Sequence, residues 1–199
     1  MKEYFIKAVE RVDFTNAPRA EIDCYKWEAD YAPHACAQLV WVEDSGLALR
    51  MTCDEADPTA VYKSYGDPVY RDSCMEFFLS ADGGEHYVNF EMNSAGALLS
   101  EFGTKDFPRT PISSFVAPPV PHAEVSPESG SWSVELFIPT SLIEALFGQS
   151  IGPGSTLLGN FYKCGDDTPK PHFGMWNEID SATPCFHLPE FFAPLKIEK

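Results

Sequence analysis

An all-β chain, folded as an antiparallel β-sandwich with one short helix and a long Pro-rich loop, is the fold class that this sequence predicts. Seventeen prolines and thirteen glycines cut its 199 residues into short apolar runs, which is the punctuation of many short strands. Within several of those runs apolar residues alternate with others, the period of a strand whose two faces meet different surroundings. Only one stretch carries helix start and stop signals. Hydrophobic residues make up 44% of the chain and aromatics 14%, enough to build a core for one domain spanning residues 1–199.

The apolar runs place strands at residues 4–9, 38–43, 47–52, 74–80, 87–93, 97–102, 132–138, 156–164 and 192–197. In the fourth, Met75, Phe77 and Leu79 alternate with Cys74, Glu76, Phe78 and Ser80. In the fifth, Val88, Phe90 and Met92 alternate with Tyr87, Asn89, Glu91 and Asn93. The intervening Ala81-Asp82-Gly83-Gly84-Glu85 reads as a turn, so the two strands form a hairpin. Residues 104–130 hold six prolines and read as a long irregular loop or flap. The helix follows at 139–148, with Ser141 and Glu144 in capping-box spacing and Gly148 as its stop. In the strand at 156–164, Asn160 and Tyr162 share a face.

Charge narrows the function classes. Fourteen basic against thirty acidic residues give a net charge of -16, so no nucleic-acid partner is expected: little here would displace counterions from a phosphate backbone. No apolar run approaches the roughly 18 residues of a membrane span, and no membrane partner is expected. The first fourteen residues are charged at Lys2, Glu3, Lys7, Glu10, Arg11 and Asp13, leaving no continuous apolar stretch for a signal peptide. A cytoplasmic location is therefore expected, Met1 favouring it over a removed leader. The six cysteines, with no CxxC among them, are expected to be reduced thiols packed as small hydrophobes.

The hairpin at 74–93 is the most informative stretch. Aligning its apolar faces puts Glu76 beside Asn89 or Glu91 on the other face, among Tyr and Phe rings. Such a surface is either a solvated outer face with scattered aromatics or a platform for a ligand rich in hydroxyls. Asn160 and Tyr162 leave the same two readings open. Gly165-Asp166-Asp167-Thr168-Pro169 offers oxygen ligands to a Ca²⁺ ion, but lacks the EF-hand pattern, and a plain turn is the favoured reading. Residues His34, His86, His122, His172 and His187 show no ligand spacing, so no metal site is expected. No GxSxG, HExxH, P-loop or GxGxxG motif is present.

Tyr70-Arg71-Asp72-Ser73-Cys74-Met75-Glu76-Phe77-Phe78-Leu79 is similar to the aromatic, then D-S-x-x-E-hydrophobic segment of family 9 carbohydrate-binding modules. In the same order, Tyr87-Val88-Asn89-Phe90-Glu91-Met92-Asn93 resembles that family's next strand. Trp132-Ser133-Val134-Glu135-Leu136-Phe137-Ile138-Pro139 resembles its W-x-V-E-x-x-I-P strand, and Gly159-Asn160-Phe161-Tyr162 its G-x-N strand. Trp176, Phe186, Pro189 and Leu195 fall in its closing pattern. The resemblance spans residues 20–197. It implies a β-sandwich of the DOMON-like type that binds a mono- or disaccharide, often a glycan end, without catalysis. It also implies that two rings, here Tyr70 and Phe186, clamp the sugar. Glu76 takes the place of the hydroxyl-binding carboxylate, Asn160 that of the family's Asn, and Tyr162 stands where the family has a Gln. Both clamp positions are normally Trp in the family, and its Ca²⁺ sites find no clear match here.

Two other classes stay open. Glu76, Glu91 and Glu135 are candidate carboxylates for a glycan-active hydrolase, and an adjacent Glu76–Glu91 pair would share a proton and raise one pKa. Related sandwiches bind haem through Met and His, but Met75 and Met92 fall on the presumed core face.

Overall fold

In a computed structural model, which describes residues 2–27, 30–106 and 108–199, the short apolar runs become strands. They are β1 (Tyr4–Val9), β2 (Ala20–Ile22), β3 (Cys24–Tyr25), β4 (Ala35–Val42), β5 (Gly46–Cys53), β6 (Cys74–Ser80), β7 (Tyr87–Asn93), β8 (Leu98–Leu99), β9 (Glu101–Gly103), β10 (Thr110–Pro111), β11 (His122–Ser126), β12 (Ser131–Pro139), β13 (Thr156–Cys164), β14 (Phe173–Met175) and β15 (Ala193–Ile197). Among the described residues one α-helix, α1 (Thr140–Phe147), joins β12 to β13. Met1, part of the ground for the cytoplasmic expectation, and Phe107, within the Pro-rich segment, lie outside the described residues.

The strands order as β10-β9-β7-β6-β13-β15-β1-β4-β5-β12-β11, a sheet curled into two layers. β1 belongs to both. Tyr4, Phe5 and Ile6 pair with β15, and Lys7, Ala8 and Val9 pair with β4. The sandwich is as the sequence predicts, with one correction: both pairings of β1 are parallel. No hairpin joins β1 to either neighbour, so nothing local imposes antiparallel direction. The inward-pointing residues of both layers, among them Phe77, Phe90 and Phe161 opposite Leu39, Leu49 and Leu136, merge into one core. Met75 and Met92 are buried there, on the core face that the alternation assigns them.

The expected strands at 74–80, 87–93 and 156–164 are found with those bounds. The expected strand at 97–102 is split at Ser100 into β8 and β9. The two- to five-residue strands β2, β3, β10, β11 and β14 are too short to show a period in sequence. Two of them correct the reading of 104–130 as an irregular loop. β10 closes the edge of one layer and β11 the edge of the other, so the segment runs from edge to edge. Proline is tolerated there because an outermost strand can leave its outer hydrogen-bonding side unused.

The helix also differs in detail. Pro139 occupies its N-cap with no side-chain cap, and Glu144 Oε1 instead accepts from Ser150 Oγ at 2.6 Å. Gly148 ends it as expected, in the left-handed region at φ 67°. Among the described residues no helix is long and apolar enough to cross a membrane. All six cysteines are free thiols.

The end of the core holds a charge that the alternation in 156–164 conceals. Lys163 is fully buried. Its Nζ lies 2.6 Å from His172 Nε2, donates to Cys164 O at 2.9 Å, and stands 3.4 Å from Glu55 Oε2. Glu55 also accepts from Trp132 Nε1 at 3.0 Å and Ser73 Oγ at 2.9 Å. His172 Nδ1 faces Lys170 O at 2.7 Å, and burial beside the Lys163 ammonium lowers its pKa to about 4. The imidazole is therefore neutral and accepts from Lys163 through Nε2. Removing the ammonium strands Glu55. Lys163→Ala should cost about 3–5 kcal/mol in denaturant unfolding, and Lys163→Met with Glu55→Gln should recover most of it. A loss under 1 kcal/mol for the single change would show that the pair does not hold this end of the core.

Candidate functional site

The outward residues of β6, β7 and β13 would face water in a bare sandwich. Here every residue of β6 and β7 is buried, because a second apolar layer lies over them. Cys74, Phe78, Tyr87, Tyr162, Cys164, Met175, Phe186 and Phe192 form it. Asn160 fastens this cover. Its Nδ2 donates to Asn177 O at 2.8 Å and its Oδ1 accepts from Asn177 N at 2.9 Å. Asn177 Nδ2 in turn donates to Phe191 O at 2.8 Å. The stretch between Trp176 and Phe192 is thereby tied down across the sheet. Phe186 stacks on Tyr162 at 4.2 Å with ring planes 9° apart, and Tyr87 Oη meets His187 Nδ1 at 2.9 Å.

Where the cover stops, a cleft of about 630 Å³ opens, with Tyr70, Glu76, Glu91 and Phe186 in its walls. The D-S pair positions Tyr70. Asp72 Oδ2 accepts from Tyr62 N at 3.0 Å and Asn93 Nδ2 at 2.9 Å. Ser73 Oγ donates to Glu55 and accepts from Thr59 N at 2.9 Å. These bonds anchor the turn at Val69–Arg71 that carries the ring. From the other side, Asp166 N donates to Tyr70 O at 3.1 Å.

Glu76 and Glu91 stand directly opposite each other on β6 and β7. Glu76 Oε1 accepts from Cys164 Sγ at 3.0 Å. Glu91 Oε1 accepts from Asn89 Nδ2 at 2.9 Å, while its buried Oε2 has no hydrogen-bond partner. Burial is the main force on both acids. It raises Glu76 well above the carboxylate range, with Cys164 and Glu91 adding to the effect, and raises Glu91 to about 8. Asp166, at the mouth, is raised to about 6 by burial and by Asp167. Glu101 brings a fourth acid to the wall. The Arg109 guanidinium sits 3.6 Å from the Tyr87 ring centroid, donating through Nη2 to Tyr87 O, Asn89 Oδ1 and Glu101 O. Burial beside it lowers His187 to about 4, so that ring is neutral.

The structure thus brings four of the seven expected residues, Tyr70, Glu76, Glu91 and Phe186, to one cleft. Asn89, Asn160 and Tyr162 lie behind its walls, fully buried. Asn89 orients Glu91, Asn160 holds the cover, and Tyr162 backs Phe186. In the loop read as a turn with Ca²⁺-compatible oxygens, Arg71 lies 3.6 Å from Asp167, and Thr168 Oγ1 donates to Gly165 O at 3.0 Å. Glu135 is far from this cleft in function: it pairs with Arg50 at 2.6 Å on the other layer. Sequence reasoning missed Cys164, Asp166, Glu101 and His187 as cleft residues. Of these Cys164 left a signal, by sharing the face of Asn160 and Tyr162, and Asp166 stood in the loop read as a turn with Ca²⁺-compatible oxygens.

Comparison with known proteins gives the same direction. The family described as Carbohydrate-binding family 9 matches residues 7–197. A candidate carbohydrate-binding protein from Bacteroides uniformis ATCC 8492 is 28% identical with a TM-score of 0.84, covering 99% of each chain. A family 9 carbohydrate-binding module from Caldicellulosiruptor kristjanssonii, in complex with cellotriose, is 14% identical with a TM-score of 0.70, over 99% of this chain and 94% of that one. A glucose complex of such a module from the same organism is also 14% identical, with a TM-score of 0.69, over 99% of this chain and 96% of that one. No curated protein matches the chain.

The two raised acids set a pH dependence of stability. Glu91 faces Glu76 on β6, Glu101 on β9, the Arg109 guanidinium, Asn89 on its own strand and Asp166 beyond β13. Folded, it keeps its proton to about pH 8, whereas the unfolded chain releases it near 4.5. The stability this contributes is fully present below 4.5 and is lost as pH rises through 8. His172 and His187, lowered to about 4 from 6.5, act in the opposite sense but only below 6.5. Between pH 6.5 and 8.5 the melting temperature should therefore fall, and Glu91→Gln should flatten the fall. A melting temperature that rises across this window would contradict a buried, protonated Glu91.

Proposed function

The chain belongs to carbohydrate-binding family 9, and on that premise we propose that its cleft binds a neutral mono- or disaccharide without catalysis, between the rings of Tyr70 and Phe186. The observation that carries this reading is that residues 116 positions apart in sequence, one in the turn before β6 and one in the cover, line the same cleft as a pair of carboxyl groups. A pyranose has apolar C–H faces and a rim of hydroxyls. Flat rings suit the former and carboxyl groups the latter. The unpartnered Oε2 of Glu91 is a buried polar atom for which a ligand hydroxyl would complete the bonding. Glucose and cellotriose, bound by the modules of similar fold, have the same chemistry.

The acids of the walls favour neutral sugars. Glu101 and Asp166 join Glu76 and Glu91 around the space, so a uronate or a sulfated sugar meets carboxylate charge or must be matched by proton uptake on these acids, whereas a neutral sugar needs neither. Binding without hydrolysis is supported by the burial of the opposed pair: it shifts both Glu76 and Glu91 towards the protonated form, whereas glycoside hydrolysis requires one ionised carboxylate beside a general acid.

Calorimetric titration with glucose, cellobiose and glucuronate tests the reading. The neutral sugars should bind and glucuronate should bind at least tenfold more weakly. Tyr70→Ala should cost about tenfold or more in affinity, equivalent to about 1.4 kcal/mol, with little change in stability, since the ring is half-exposed. Phe186→Ala should lose affinity too, but also about 3 kcal/mol of stability, because the ring packs on Tyr162. Equal affinity for glucuronate, or an unchanged affinity in Tyr70→Ala, would overturn the proposal.

A further inference from the structure

At the base of the cleft two cysteines meet Glu76, and the carbohydrate reading uses neither cysteine. Cys74 on β6 and Cys164 on β13 are directly opposite in the antiparallel register, and Glu76 follows two residues after Cys74 on the same face of β6. Their Sγ and carboxylate oxygen atoms all lie within 4.8 Å of one another, with Cys164 Sγ and Glu76 Oε1 at 3.0 Å. All three side chains are buried, yet Glu76 and Cys164 also line the cleft, so there is a path in from solvent.

We propose that Cys74, Glu76 and Cys164 form a binding site for a thiophilic divalent cation of the Zn²⁺ class, with the fourth coordination position open to the cleft. A tetrahedral Zn²⁺ with bonds of about 2.3 Å to sulfur and about 2.1 Å to oxygen holds its ligand atoms about 3.5 to 3.8 Å apart. The observed separations run from 3.0 Å, between Cys164 Sγ and Glu76 Oε1, to no more than 4.8 Å, so side-chain rotation that opens the closest pair by about 0.6 Å accommodates the cation. Two thiolates select against Ca²⁺ and Mg²⁺, which prefer all-oxygen shells. The strands fix the ligands: each is held in a ladder buried on both sides, the precision that metal sites on loops lack.

Proton balance is explicit. The two thiols and the Glu76 carboxyl give up three protons to solvent as the cation enters, leaving a site of net charge -1. The Lys163 ammonium, bonded to Cys164 O at 2.9 Å, is close enough to offset part of it. The fourth position faces the region of Asp166 and Tyr70 and would take water, or a ligand hydroxyl. The inference does not require the carbohydrate reading, because it rests on three side chains whose arrangement exists without a sugar.

The test is titration of the reduced, full-length protein with Co²⁺, followed by displacement with Zn²⁺. One equivalent should give a thiolate-to-metal charge-transfer band in the near ultraviolet and visible bands of tetrahedral cobalt, both erased by Zn²⁺. The Cys74→Ala and Cys164→Ala variants should each lose the band, and Glu76→Gln should weaken Co²⁺ binding at least tenfold, with folding followed by circular dichroism. If the cysteine variants do not fold, X-ray absorption of the Zn²⁺-loaded wild type decides. Two sulfur scatterers at about 2.3 Å with two lighter ones support the site, and any other sulfur count refutes it. A featureless Co²⁺ titration, or a band that survives in a folded Cys74→Ala variant, would overturn the proposal. Saccharide titration of the metal-free protein is a separate readout, so failure of this site and failure of sugar binding are told apart.

Discussion

The sheet formed by β7, β6 and β13 is buried on both faces, and the rest of the site follows from that. Strands in antiparallel sandwiches ordinarily show one face to the core and the other to water. Here a second apolar layer, with Phe78, Tyr87, Tyr162, Phe186 and Phe192 at its centre, covers the outer face. Every polar group on that face must then find a partner inside the protein or carry the cost of having none. Asn160, Asn89 and Asn93 find partners. Glu76 and Glu91 find one each through a single oxygen.

Burial is what makes these two carboxyl groups unusual. Their opposition across β6 and β7 adds to the effect, but loss of water comes first. A solvated pair at the same spacing would be two ionised acids on a surface. Enclosed, they are proton-holding groups at the base of a cleft, with a free oxygen on Glu91. The same enclosure brings the thiols of Cys74 and Cys164 against Glu76, so that one patch of sheet holds both hard and soft ligand atoms. Enclosure thus turns a row of ordinary side chains into a site.

The cleft is built against the sandwich core rather than on top of it. Ser73, beside Asp72 in the turn that carries Tyr70, donates to Glu55. Glu55 is shared with Trp132 of the second layer and with Lys163 of β13. One buried acid therefore links the wall of the cleft to both layers. At the opposite wall Asn160 plays the corresponding part, holding the cover that carries Phe186. Both walls depend on polar contacts in apolar surroundings, where hydrogen bonds are stronger and also more costly to break.

Local pattern alone determined a good deal. The alternation in 74–80, 87–93 and 156–164 sorted each residue of these strands onto its face, because side chains on a strand point to opposite sides in turn. It put Phe77, Phe90 and Phe161 on the core side and Glu76 beside either Asn89 or Glu91 on the other face, and the register of the folded strands chose Glu91. The glycine stop of α1 was legible too, since only local backbone geometry is involved. Pattern could not say what lay over the second face. An outer face of Glu, Asn, Tyr and Phe reads equally as a wet surface or a platform, and the cover that decides between them comes from residues 176–192, far along the chain. Tertiary structure alone therefore separated the cleft-lining Glu76, Glu91, Tyr70 and Phe186 from the buried supports Asn89, Asn160 and Tyr162. It alone buried Lys163 against Glu55 and His172 and set Cys74 against Cys164. Burial, pairing and proton affinity depend on neighbours from distant strands, and no window of sequence contains them.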